Sequence, residues 1–171
     1  FAIWGPKWNG GGEHACPASL VDLAPSLLDT ACIDIPATMQ GNSLLPVTRG
    51  EAGKLPGEGY IQFGDAFMPP GRALRTSRWK YSVVAAKRHS GKASAPIYRE
   101  DELYDLQTDP YELTNLIDFP SHADIRTHFR SRLLQRMEAT GEPKASIRTH
   151  PKGKGNSQRR TDYPNTRRKG F

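Results

Sequence analysis

No apolar run in this 171-residue chain approaches the roughly 20 residues that span a bilayer, so no membrane segment is expected. Cysteine is nearly absent. Cys16 and Cys32 are too few for a disulfide framework, and no C-x-x-C spacing or neighbouring histidine pair points to a metal. Both read as ordinary small, buried or half-buried residues. The chain also lacks a glycine-rich phosphate cradle and an H-E-x-x-H helix. The glycine run at 10–12 is followed by no helix that would make it an anion site. The five histidines fall in predicted loops or on the polar side of a helix, and His122 and His128, six apart, sit on different helical faces. The first residue is Phe1, and no charged-then-apolar leader follows it. The expectation is a chain cut out of a longer polypeptide.

What is present is unevenly distributed. Residues 143–171 carry nine Lys or Arg against one acid, Asp162, while residues 1–142 are slightly acidic. The overall charge of +6 therefore belongs to the tail and not to the folded part. Without apolar periodicity, the tail is expected to be disordered. Sixteen glycines and fourteen prolines predict many loops.

Apolar spacing organises the rest. FAIW at the start reads as the end of a buried strand. In SLVDLAPSLLDTACI, the residues Leu20, Leu23, Ala24, Leu27, Leu28 and Ala31 share one helical face. Ser19 with Asp22 three residues on fits an N-terminal cap, and Pro25 predicts a loose first turn. YIQF at 60–63 is a strand candidate. The segment RALRTSRWKYSVVAA predicts two strands, 72–76 pairing with 78–86, and Ile97 to Leu106 holds a third. A closing helix runs from about Ala123 to Thr140, with Ile125, Phe129, Leu133 and Met137 every fourth residue and Gly141 as its stop.

Candidate chemistry is sparse. The acids of EDELYD at 100–105 read as a solvated rim, since neighbouring strand residues point to opposite faces. RALRTSRWK offers four cations beside a tryptophan, with Arg72 and Arg78 on one side and Arg75 on the other; anion contact competes there with a plain sheet edge. ELYDLQTDPYELTNLI has a mechanical reading. Asp109-Pro110 sets a turn, Asp109 and Glu112 have capping-box spacing, and Leu106, Leu113 and Leu116 would pack the turn onto the sheet.

Three stretches together carry a resemblance. PASLVDLAPSLLDTACIDIPATMQGNSLLPV resembles the sulfatase pattern V-S-x-x-D-L-x-P-T-L-L-D-x-A-G-I followed by P-x-x-M-Q-G-x-S-L. RALRTSRWKYSVV resembles the family's R-A-x-R-T-x-R-W-K-Y strand pair, and ELYDLQTDPYELTNL its L-Y-D-L-x-x-D-P-x-E-x-x-N-L signature. They occur in family order over about residues 1–142, and GEP at 141–143 matches the close of bacterial members. Cys32 stands where the family has glycine, and Ser26 where it has threonine.

The resemblance implies the C-terminal part of an alkaline-phosphatase-like α/β hydrolase. Its domains would be the end of the catalytic core (1–48), a connector (49–59), an antiparallel sheet packed against a helix (60–142), and the basic tail (143–171). The parent would hydrolyse sulfate esters with formylglycine and a divalent cation, usually Ca2+. Cys16, in C-P-A-S-L, does not match the maturation motif C-x-P-x-R, because Leu20 stands where arginine belongs. No catalytic or metal residue carries over, and this chain is expected to bind no cofactor. Its partners would be the missing N-terminal core and a sulfated small molecule or glycan; neither membrane nor nucleic acid is expected. Arg72 and Arg75 are the candidates near the substrate cleft. The family default for compartment is extracytoplasmic. The alternatives are a polyanion-binding module acting through its tail and a phosphoester hydrolase of the same superfamily.

Overall fold

The computed structural model describes residues 2–8, 12–51, 55 and 57–150. Its centre is a five-stranded sheet in sequence order: β1 (Glu58–Phe63), β2 (Gly71–Thr76), β3 (Trp79–Ala85), β4 (Ile97–Asp105) and β5 (Ser146–Arg148). The first three pairings are antiparallel, with Tyr60 opposite Leu74, Leu74 opposite Tyr81, and Tyr81 opposite Leu103. The predicted strand pair and third strand are present. The sheet is not purely antiparallel, however, because β5 pairs parallel to β4.

That strand corrects the expectation of a structureless tail from residue 143. Ile147 is apolar between exposed neighbours and is buried in the core. One inward residue is too short a pattern to read as a strand, but an open edge of β4 supplies the ladder. Tail residues 151–171 lie outside the described residues.

Ahead of the sheet stand α1 (Leu23–Thr30) and the short α2 (Leu45–Thr48); the long α3 (Ala123–Ala139) follows β4. Helix α3 lays Phe129, Leu133 and Met137 onto Leu74, Tyr81, Val83, Tyr98 and Leu103 of one sheet face. Period-four spacing places those three side chains on one stripe, as the sequence predicts. Gly141, at φ +77°, ends the helix, and the Glu142 N–H donates to the Met137 carbonyl at 3.0 Å. Its left-handed φ is what glycine supplies without steric cost.

The N-terminal segment differs more from expectation. The loose first turn is a 3-10 turn, Leu20–Asp22, and the Ser19 N–H donates to Asp22 Oδ2 at 2.7 Å. Yet α1 buries Pro25 and Ser26, not the apolar stripe. Ser26 Oγ donates to the Asp22 carbonyl and accepts the Leu44 N–H, tying α1 to α2. Leu20 and Leu27 are 81% and 64% exposed, and Ala24 and Ala31 are exposed beside them. Residues 2–4 form no strand, and Trp4 is exposed. A strand needs a hydrogen-bonded neighbour, and no described residue offers one there.

Helix α1 closes with a Schellman turn: the Ile33 N–H donates to the Leu28 carbonyl at 2.9 Å and the Cys32 N–H to Asp29 at 3.1 Å. Cys32 takes φ +58° in this turn, a left-handed position that strains an L-residue with a Cβ. Cys32→Gly is therefore expected to stabilise the chain by about 1 kcal/mol. A rise in the urea midpoint at unchanged m-value checks this; no rise would show that the unfolded-state entropy of glycine cancels the relief.

Candidate functional site

The two arginines of β2 lie on opposite faces, as residues three apart on a strand must. Arg72 points to the α3 side and is 3% exposed, whereas Arg75 is exposed on the other face. They do not converge on one site.

Arg72 is locked within the chain. Its Nε donates to both Glu142 carboxylate oxygens at 2.8 and 3.0 Å, and Nη2 adds a third bond at 2.8 Å. The remaining donors reach the carbonyls of Gly71 and Ala93, both at 2.7 Å, and the guanidinium lies over the Tyr98 ring. Glu142 also accepts from the Tyr60 hydroxyl and, at 2.7 Å, from Gln62 Nε2. Burial alone would raise the Glu142 pKa, but the hydrogen bonds from Arg72, Tyr60 and Gln62 outweigh it and hold the carboxyl below its usual value. Tyr60 is pushed up to about 12 by its own burial and by the Glu142 carboxylate. The cluster fastens the end of α3 to β1 and β2. A bidentate arginine with every carboxylate lone pair engaged is a rigid joint.

A second buried carboxylate anchors the middle of α3. Glu100, 1% exposed, accepts from Tyr81 Oη at 3.1 Å and from Arg130 Nη2 at 2.6 Å. Glu102, two residues on, would share the face of Glu100 on a regular strand, but a bulge opposite Ser82 and Val83 turns it outward, 3.8 Å from Lys80, and Asp105 holds Arg78 at 2.9 Å. The expected solvated rim thus holds a buried ligand to α3, because β4 is paired through Glu100 and packed on its inner side.

The segment after β4 caps an edge. Asn115 Oδ1 accepts the N–H groups of Leu103 and Ile117 at 2.9 and 3.0 Å, and its Nδ2 donates to the Asp101 carbonyl. The Leu116 N–H donates to the Leu103 carbonyl at 2.7 Å. These bonds satisfy β4 beyond the three residues that β5 covers. Asp109 accepts the Thr114 N–H at 2.7 Å, and its backbone donors depress its pKa. The capping box does not form: Glu112 sits at φ +56° and turns to Lys80, at 2.5 Å. Leu116 and Ile117 pack inward as anchors, but Leu113 is 57% exposed.

Sequence reading passed over Tyr60, Asn115 and Glu142. Only Glu142 had a signal, its place directly after the helix-ending Gly141. Of the cysteines, Cys16 has its thiol pushed up by burial and by Asp22, and Cys32 is exposed rather than buried, with Lys7 Nζ 2.7 Å from its sulfur. Among the described residues no three His, Cys, Asp or Glu side chains gather as a metal set. No helix among them is long and apolar enough to cross a membrane.

The sequence profile described as "N-sulphoglucosamine sulphohydrolase, C-terminal" matches residues 10–139. A Delta 4,5-hexuronate-2-O-sulfatase of Bacteroides thetaiotaomicron is 32% identical over 126 residues, covering 71% of this chain and 24% of that protein. An ulvan-active sulfatase of Formosa agariphila is 28% identical over 145 residues, covering 71% and 29%. The solved structure of a 2-O GAG sulfatase superposes with a TM-score of 0.58 at 30% identity, over 70% of this chain and 24% of that one. The chain thus spans about a quarter of the length of these relatives.

Proposed function

This chain belongs to the sulfatase family, and on that premise we propose that it is the C-terminal portion of a sulfate-ester hydrolase, built to complete a larger catalytic core. The observation that carries this is the apolar stripe of α1. Leu20, Ala24, Leu27 and Ala31 follow helical spacing, and Val21, Ile33 and Ile35 extend the exposed apolar surface. Such an amphipathic stripe is a buried face in a finished fold. Its complement here is the rest of the parent α/β core, which accounts for the other three quarters of each relative.

Sulfatases generally use formylglycine and a divalent metal, which supply the nucleophile and the charge stabilisation at sulfur. The residues described fit neither. Cys16 lacks the arginine of the maturation motif, and among the described residues no acid cluster offers oxygen ligands for calcium. The contribution of this chain is positional. Arg72 and Glu142 fix β2 against the closing helix, and Arg75, exposed on the outer face, is the one of the two β2 arginines free to line a substrate cleft. The substrate class would be sulfated saccharide, by likeness to the hexuronate and GAG sulfatases, and the compartment extracytoplasmic.

Two measurements test this. The coding sequence upstream of Phe1 should continue in frame and carry C-x-P-x-R with paired aspartates; a start codon at that point overturns the proposal. The purified chain 1–171 should release no sulfate from an aryl sulfate with calcium present. Turnover above a buffer blank would place catalytic residues within it.

A further inference from the structure

We propose that the β4–β5 end of the sheet is a docking surface for a sulfated polysaccharide. Its centre is a pair of arginines. Arg99 on β4 and Arg148 on β5 are direct register partners in the parallel pairing, and both are exposed. They flank the inward-facing Tyr98, Glu100 and Ile147, so both project from the face opposite α3. Neighbouring strands lie about 4.8 Å apart, which brings the two guanidinium stems side by side.

Like charges directly opposite on a sheet repel. Cations on an edge strand often serve only to prevent edge pairing. Arg148 could have that role, but Arg99 cannot: its strand is paired on both sides at that register, with Val84 on β3 and Arg148 on β5. Two more cations, Lys87 and Arg88, stand in the turn that leaves β3 at the same end of the sheet, and Lys92 follows on the way to β4. All three are exposed.

Among the described residues, none of these five cations forms an ion pair. Of the nearby acids, Glu100 turns inward to Arg130, Glu102 toward Lys80, Glu142 to Arg72 and Asp118 to His150; the Asp65 carboxylate accepts the Phe67 and Met68 N–H groups, and Asp101, two residues from Arg99, pairs with none of the five cations. Uncompensated cations concentrate field over the surface and attract polyanions. Guanidinium groups suit tetrahedral oxyanions because their forked N–H groups bind two oxygens at once. The choice of a sulfated glycan over nucleic acid rests on the sulfatase reading above, since the proposed substrate is itself a polyanion with sulfates beyond the one cleaved.

The test uses the full chain and heparin oligosaccharides, titrated over a salt series. The wild type should bind with affinity falling as salt rises. Arg99→Gln/Arg148→Gln should weaken heparin binding at least tenfold at low salt and reduce the log–log salt slope by roughly 1–2, with an unchanged urea midpoint. Arg49→Gln, an exposed cation elsewhere, should stay within about twofold. The proposal is overturned if the double variant binds as the wild type does, which would leave binding to residues 151–171. It is equally overturned if Arg49→Gln loses as much, or if a DNA duplex of matched charge binds as tightly with the same variant dependence. Aryl sulfate hydrolysis by the parent enzyme is measured separately. Failure of that activity alone would sink the hydrolase reading, and an arginine-dependent heparin affinity would still stand.

Discussion

Arg72→Met is expected to destabilise the chain by about 3–5 kcal/mol, read as a fall in the urea midpoint. The loss arises from what is left behind more than from what is removed. Glu142 would remain at the sheet with its side chain 9% exposed and without its bidentate partner. Methionine preserves much of the volume over Tyr98, so the variant tests charge rather than packing. Adding Glu142→Leu should recover a large part of the loss, because replacing a buried pair by apolar groups is often near neutral. If the single variant unfolds like the wild type, water reaches Glu142 in solution and the joint is weaker than its geometry states.

The same pair fixes an acid dependence. The folded-state pKa of Glu142 lies below its ordinary value, so its contribution is complete above the unfolded carboxyl value and is lost as pH falls through the depressed folded one. Without Arg72, burial favours the neutral acid instead. The stability gap between wild type and Arg72→Met should therefore narrow as pH drops below about 4.5, the ordinary value for this group. A gap constant from pH 7 to pH 3 would contradict the assignment.

Asn115→Ala carries the other large effect, about 2–4 kcal/mol. It would leave the buried Leu103 and Ile117 N–H groups without their acceptor and the Asp101 carbonyl without its donor. Hydrogen exchange should show it locally, with faster exchange at Leu103 and Ile117 and little change at Tyr81 on the far side of β4. Asn115→Asp keeps the acceptor for both N–H groups but buries a charge and sets a carboxylate oxygen against the Asp101 carbonyl, so overall stability should still fall while Leu103 and Ile117 keep more protection than in Asn115→Ala. Equal exchange at Leu103 and Ile117 in the two variants would contradict the edge cap.

By itself the sequence determined the elements whose side chains repeat with a period. Helix α3 was legible because Phe129, Leu133 and Met137 recur every fourth residue, and β2–β3 because a break at Ser77 restores alternation. The linked motifs were enough to identify the family. What only the tertiary structure decided lies in groups joined across long stretches of chain. Arg72 and Glu142 are 70 residues apart, and no local pattern says that a strand arginine will be buried against a helix end. Strand β5 exists because β4 has an open edge, which three residues of its own sequence cannot announce. The N-terminal stripe shows the reverse case: spacing alone marks Leu20, Ala24, Leu27 and Ala31 as a face to be buried, and no described residue buries it. Periodicity is a property of one segment; the partner that satisfies it is a property of the whole.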